Sequence, residues 1–207
     1  MINLLPEPKL LRETGGETPA FRGLAFGGAD AELADVIRLR FWNYPDLPLY
    51  FGEGAQGFLV RVLRGLDAPD LEANPLFASQ GYRLDVGPDG AVLRYVEPEG
   101  FVHGVTSLKM LLRESPDGFT LPLCAVTDWP SVPVRAVAPT FSWYAGYGRI
   151  GFDMQLWGYE EWAGFLNVCL DSKINQFNMV MYGYWPFEFE EYPETVFRGV
   201  PVKIWNA

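Results

Sequence analysis

The sequence is poor in the residues that metal and redox chemistry most often use. Among its 207 residues are two cysteines, Cys124 and Cys169, and a single histidine, His103. Two thiols cannot build a disulfide framework, so both are expected to be buried and free. One imidazole excludes the His-Glu-x-x-His zinc site and the two-histidine facial triad, and neither a metal site nor a cofactor is expected. No Asn-x-Ser/Thr acceptor occurs. No stretch approaches about 18 consecutive apolar residues, and the opening Met1-Ile2-Asn3-Leu4-Leu5-Pro6 lacks a basic and then apolar leader. A membrane protein or secreted precursor is therefore not expected, and the missing leader points to the cytoplasm. Basic residues are also scarce, 16 against 26 acidic, for a net charge of −10. Nucleic acid and anionic membranes, which need clustered Lys and Arg, are not the expected partners; a neutral or cationic one is.

What the chain does have is aromatic rings: 15 Phe, 10 Tyr and 7 Trp. Five of the seven tryptophans lie at or beyond Trp143. This shift in composition divides the chain into an ordinary mixed domain and an aromatic, Gly-rich remainder. In the first part, Phe21 to Phe26 reads as a strand, followed by a helix with Leu33, Val36, Ile37 and Phe41 on one face and Asp30 as N-cap. Leu47 to Phe51 and Phe58 to Leu63 read as strands. Tyr82 to Val86, Pro88-Asp89-Gly90 and Ala91 to Val96 read as a hairpin. Val105, Leu108, Leu111 and Leu112 mark a second helix, and Leu121 to Val126 another strand. The first domain, residues 1–130, is thus expected to be α+β, a mixed sheet with helices on one face.

Pro130 and Pro133 interrupt regular structure and place the boundary there, with residues 131–207 as the second piece. Val134 to Phe141 reads as a strand. Trp162, Phe165, Leu166, Cys169 and Leu170 recur at helical spacing, with Glu160 and Glu161 in the first turn. Ile174 to Tyr182 reads as a further strand, so this piece contains a βαβ unit with parallel strands. One such unit cannot close a core, and the sequence is expected to stop inside a larger α/β domain.

Gly52-Glu53-Gly54-Ala55-Gln56-Gly57 matches the dinucleotide pattern G-x-G-x-x-G. That fingerprint needs a helix to start at its third glycine, whereas Phe58 to Leu63 has strand character, so a glycine-rich loop is expected instead. His103, in a glycine-flanked segment, reads as a structural imidazole. Glu188, Glu190, Glu191 and Glu194 read as a solvated acidic loop rather than as general acids.

The ordered series Gly81-Tyr82-Arg83-Leu84-Asp85-Val86, Gly100-Phe101-Val102-His103-Gly104-Val105-Thr106-Ser107-Leu108 and Asp128-Trp129-Pro130 resembles the non-catalytic N-terminal domain of glycoside hydrolase family 20, the β-N-acetylhexosaminidases. Leu5-Pro6-Glu7-Pro8 near the start extends the likeness over roughly residues 1–182. The resemblance implies that the accessory domain is followed by the first βαβ portion of a (β/α)8 TIM barrel. It also implies that Arg135 stands on the first barrel strand, where its family counterpart binds vicinal sugar hydroxyls. The family's Lys-x-Asn signature is present as Lys173-Ile174-Asn175. Its Asp and second Arg on the first strand correspond to Thr140 and Trp143, and the histidines and aspartate after the signature to Asn178, Val180 and Gly183. The family's catalytic Asp-Glu pair would lie beyond Ala207, so no catalytic residue is assigned in this chain, which is expected to be inactive alone.

Barrel active sites form at the C-terminal ends of strands, which here are followed by Trp143 and Tyr144, with Tyr147 beyond, and by Tyr182, Tyr184 and Trp185. Their rings offer flat faces to sugar C–H groups, so Trp143, Tyr144, Tyr182, Trp185 and Arg135 are the candidate substrate-binding residues; packing beneath long loops is the alternative for the rings, and an interdomain ion pair for Arg135. Gln176 and Asn178 share one face of the second strand. The expected function is that of an N-terminal piece of a glycoside hydrolase acting on carbohydrate, with N-acetylhexosaminides as one substrate class. A carbohydrate-binding or scaffold protein of the same architecture is the alternative, and the oligomeric state is open.

Overall fold

In the computed structural model, residues 2–52, 54, 56–65, 71, 74–141, 157–178 and 180–181 are described. They fall into two compact units, Met1–Arg135 with Asn167–Asn175, and Ala136–Leu166 with Gln176–Ala207.

The first unit is built on a seven-stranded mixed sheet. Its strands are β1 (Leu10–Glu17), β2 (Leu24–Gly27), β3 (Leu49–Phe51), β4 (Phe58–Arg64), β5 (Tyr82–Gly87), β6 (Gly90–Tyr95) and β9 (Pro122–Asp128), in the order β1-β9-β5-β6-β4-β2-β3. The pairs β2/β3, β2/β4 and β4/β6 are parallel, and β5/β6, β5/β9 and β1/β9 antiparallel. A small hairpin, β7 (Arg113–Ser115) and β8 (Gly118–Thr120), stands apart. Helices α1 (Ala31–Arg40), α2 (Pro75–Gln80) and α3 (Pro98–Leu111) complete the unit.

The strands alternate because one face of the sheet is dry. Leu84 and Val86 on β5, Leu93 on β6, Val60 and Val62 on β4 and Val126 on β9 are buried, while their neighbours along each strand are not. The buried face meets α3. That helix approaches the sheet closely because two glycines lie on its inner side. A Cβ on Gly104 would sit 2.3 Å from Leu93 Cδ1, and one on Gly100 would sit 2.2 Å from the Gly81 carbonyl oxygen. Phe101, Val105 and Leu108 fill the space between. Asp30 starts α1 as expected, its carboxylate accepting the Leu33 N–H at 2.9 Å.

The expected strands, the hairpin at Pro88-Asp89 and both helices are present. Three elements add to them: β1, α2 and the β7/β8 hairpin. β1 contains Gly15 and Gly16, both at positive φ, where its register against β9 shifts. Helix α2 is only six residues, opened by Asn74 as cap and Pro75 at its first turn.

In the second unit, β10 (Ala136–Val137) pairs in parallel with β12 (Gln176–Phe177), and β11 (Thr140–Phe141) with β13 (Val180–Met181). Helix α4 (Tyr159–Asp171) connects them in sequence, so the expected βαβ connection with parallel strands is present, each long strand being realised as two short ones. Glu161 accepts the Gly158 N–H at 2.8 Å at the helix start. Trp162 and Phe165 lie edge-on to Phe177. The last turn of α4, with Lys173 to Asn175, belongs to the first unit.

Candidate functional site

The residues that carry the sequence resemblance, far apart in the chain, meet in one buried polar cluster of the first unit. Asp128 ends β9, Tyr82 begins β5, His103 and Ser107 project from α3, and Lys173 follows α4. Lys173 Nζ lies 2.8 Å from Asp128 Oδ2 and donates to the Tyr82 hydroxyl at 3.1 Å. The Tyr82 hydroxyl is 2.5 Å from Ser107 Oγ and 3.3 Å from Asp128 Oδ2. The other Asp128 oxygen accepts the Lys9 N–H at 3.2 Å. Burial lowers the Lys173 pKa, opposed by the Asp128 charge, and burial with that same charge raises that of Tyr82 well above 10. The pair is almost dry, its side chains 6% and 10% exposed. Removing one partner from such a pair typically costs about 3–5 kcal/mol, because the other charge is left buried alone.

The backbone around Lys173 explains how its ammonium arrives there. Lys173 N–H bonds to Leu170 O and Ile174 N–H to Cys169 O, closing α4 with paired 5→2 and 6→1 bonds. The closing residue of this motif is usually glycine; here Lys173 takes φ +55°. A side chain at that φ costs about 1 kcal/mol or more, a strain persisting only where surroundings fix it. The ion pair to Asp128 does so.

Arg135 forms the second half of the cluster. Its Nε–H donates to Lys173 O at 2.7 Å; Nη1 donates to Gln80 Oε1 at 2.8 Å and Val132 O at 3.0 Å. Nη2 lies 3.5 Å from Glu99 Oε1 and 3.2 Å from His103 Nε2. An arginine cannot accept, so His103 Nε2 accepts a hydrogen bond from the guanidinium and Nδ1–H donates to Gln80 O at 3.2 Å. This fixes a neutral imidazole, whose pKa is lowered from 6.5 chiefly by burial and further by the Arg135 and Lys173 charges. Asn175 completes the arrangement, accepting the Arg135 N–H at 2.8 Å and donating to Glu99 at 2.6 Å. Beside the cluster lies a cavity of about 230 Å³ lined in part by Pro6, Trp129, Tyr82, His103, Arg135 and Lys173.

A second buried charge cluster escaped sequence reasoning. Asp171 pairs with both Arg40 of α1 and Lys109 of α3, and Arg40 also reaches Asn167 and Thr106. Burial holds Arg40 down to about 10 and, beside Arg40, Lys109 to about 8. Basic residues in the last turn of a helix ordinarily complement its dipole at the surface, so neither carried a signal of burial.

Chemically, the Asp128–Lys173 cluster is a clamp. Its carboxylates are matched by cations, its hydroxyls have partners, and no Ser or Cys in it is set against a base. Among the described residues no group of three or more His, Cys, Asp and Glu converges as a metal site, and no helix is long and apolar enough to cross a membrane. Cys124 and Cys169 are buried and free, as expected, and burial raises the Cys124 thiol to about 11. Gly57 leads into β4 rather than a helix, and a Cβ there would meet the Gly23 carbonyl at 2.7 Å.

The shared fold and the family signature now bear on one another. Residues 52–129 match the model of glycosyl hydrolase family 20, domain 2. The resemblance read from the motifs is to the same family and the same domain as this match. No curated protein matches the sequence. Among solved structures, a Streptomyces plicatus β-hexosaminidase in complex with product GlcNAc is similar at 18% identity and TM-score 0.67, over 95% of this chain and 38% of that one. The family 20 exo-β-N-acetylglucosaminidase of Vibrio harveyi gives 15%, 0.64, 93% and 28%. The β-N-acetylhexosaminidase of Bacteroides fragilis gives 16%, 0.63, 92% and 36%. The chain thus shares their fold while spanning well under half of their length.

Of the candidate substrate-binding residues, Arg135 is placed in the clamp, where it forms an ion pair with Glu99. Trp143, Tyr144, Tyr182 and Trp185 lie outside the described residues, as do Tyr147, Tyr184 and the glutamates from Glu188 to Glu194. Gln176 and Asn178 do share a face, joined by a 2.7 Å hydrogen bond.

Proposed function

We propose that this chain is the accessory domain and barrel start of a glycoside hydrolase acting on N-acetylhexosaminides. The observation that carries the reading is the family 20 domain 2 match over residues 52–129, reinforced by the convergence of the motif residues in one clamp. In this reading a carboxylic acid supplied from elsewhere in the barrel protonates the leaving oxygen while the substrate's own 2-acetamido group attacks the anomeric carbon. The residues of this chain bind and orient. Trp143, Tyr144, Tyr182 and Trp185 stack on the sugar, and Arg135 contributes by exchanging its 3.5 Å contact with Glu99 for a sugar hydroxyl. The clamp of Asp128, Lys173 and Tyr82 acts at a distance, fixing the segment from which the first barrel strand departs.

The test is a panel of nitrophenyl glycosides, including the N-acetylglucosaminide, N-acetylgalactosaminide and glucuronide, offered to the protein in its complete natural form. Release from either N-acetyl sugar is the expected result. Release from the glucuronide alone moves the specificity and overturns the hexosaminide assignment, and silence across the panel overturns the enzymatic reading.

A further inference from the structure

The face of the seven-stranded sheet turned away from α3 carries a row of arginines. Alternation puts Arg83 and Asp85 of β5, Arg94 of β6 and Arg61 of β4 on that face, since their neighbours on each strand are core residues, and register puts Arg12 of β1 there. Arg83 stands directly opposite Arg94, Arg61 opposite Val92, and Arg12 opposite Ala125 of β9, the strand between β1 and β5. Like charges directly opposite one another, about 5 Å apart at Cβ, destabilise a sheet. The one carboxylate at these strand positions, Asp85, lies 3.2 Å from Arg83 Nε. That nitrogen is shielded from water yet has no hydrogen-bond partner. Among the described residues, Arg12, Arg61 and Arg94 take part in no side-chain hydrogen bond or ion pair. In a protein of net charge −10 this face alone carries +3.

Between the guanidinium groups the face is largely apolar, with Thr127 opposite Arg83. Leu59, Val92, Leu123 and Ala125 are half-buried, and Leu63, Leu10 and, on β3, Tyr50 are exposed at 37%, 54% and 40%. Such a surface suits a flat partner that alternates C–H faces with anionic groups. Arg forks pair with carboxylate and sulfate in two-point fashion, and an anion set between Arg83 and Arg94 turns their repulsion into attraction. A second copy presenting the same face would bring like charges together, and one exposed tyrosine offers little to the stacked bases of a nucleic acid. We propose that this face binds an acidic polysaccharide, a linear chain of pyranose rings bearing carboxylates or sulfates. The choice of a glycan among polyanions rests on the glycoside hydrolase reading. The net negative charge elsewhere does not forbid it, because salt screens charges beyond about 8 Å at physiological ionic strength.

Calorimetric titration of the whole chain with oligogalacturonate, and separately with a heparin oligosaccharide, in about 0.15 M salt tests this. Saturable binding of one or both is expected, the first arm reporting carboxylates and the second sulfates. The Arg83→Gln/Arg94→Gln variant should weaken it at least tenfold or so, as loss of two charge-assisted pairs implies. Arg38→Gln, an exposed arginine on α1 off this face, should leave it unchanged. Absence of binding to both acidic chains overturns the proposal. So do affinity untouched by the double variant, equal affinity for a neutral chitin oligosaccharide or for single-stranded DNA, and arginine-dependent self-association in sedimentation in place of glycan binding. Hydrolysis of nitrophenyl hexosaminides by the protein in its complete natural form is a separate readout. Turnover without acidic-glycan binding removes this inference alone, while arginine-dependent glycan binding without turnover removes the enzymatic reading and leaves this one standing.

Discussion

His103 is the residue at which solution conditions reach the clamp. Its Nε2 accepts from Arg135, and Glu99, Arg135 and Lys173 are the charged groups around it. Protonation would turn that acceptor into a donor facing a guanidinium. The folded pKa lies below 6.5, so unfolded chains bind the proton more readily than folded ones as the pH drops. The stability tied to neutral His103 is therefore complete above about pH 6.5 and is lost as the pH falls through the lowered folded value. Thermal melts across this range should show Tm falling towards acid. His103→Gln, which keeps one acceptor and one donor, should flatten that fall; an unchanged slope would place the acid sensitivity elsewhere. The sequence reads this histidine as structural, a single imidazole in a glycine-flanked segment. It could not show its partners, since Arg135 and Gln80 are 32 and 23 residues away.

At the scale of elements, alternation and helical stripes located most of the sheet and both long helices, because one face of each is buried and the other is not. β1 was illegible for the opposite reason: LLRETGGE is exposed along nearly its whole length, and it holds its place by ladder bonds to β9 rather than by an apolar face. The motif glycines were legible as a pattern but not as a cause. Gly100 and Gly104 let α3 settle on the sheet. Gly100→Ala would press a methyl against the Gly81 carbonyl, which is backbone and cannot swing away, and should destabilise by about 1–3 kcal/mol. Gly164→Ala in α4, where a Cβ meets nothing within 4 Å, should instead be neutral or gain up to about 1 kcal/mol from helix propensity. Chemical denaturation of the two variants compares them directly; equal effects would mean that close approach is not why Gly100 is glycine.

For the whole molecule, the dominant fact is that the first unit is discontinuous in sequence, residues 167–175 folding with 1–135. The proline pair at 130 and 133 marks where regular structure breaks, and periodicity stops there; nothing local says that Asp171 and Lys173 return to neutralise Arg40, Lys109 and Asp128. A protein ending at Arg135 would leave these three buried charges unmatched. It should melt well below one that continues through Asn175, by a margin exceeding the several degrees that about 1 kcal/mol moves a domain of this size. Coincident melts would show that the clamp contributes nothing.

The same discontinuity has a consequence in time. A ribosome that has just added Arg135 must add 40 more residues, the difference between 175 and 135, before the unit has all its parts. At about 5–20 residues per second that is an interval of roughly 2–8 seconds. During it the nascent sheet and helices hold their cations and Asp128 near water rather than sealed away. The final closure of the first unit therefore waits on the synthesis of residues 167–175, which the chain reaches only after it has begun the second unit.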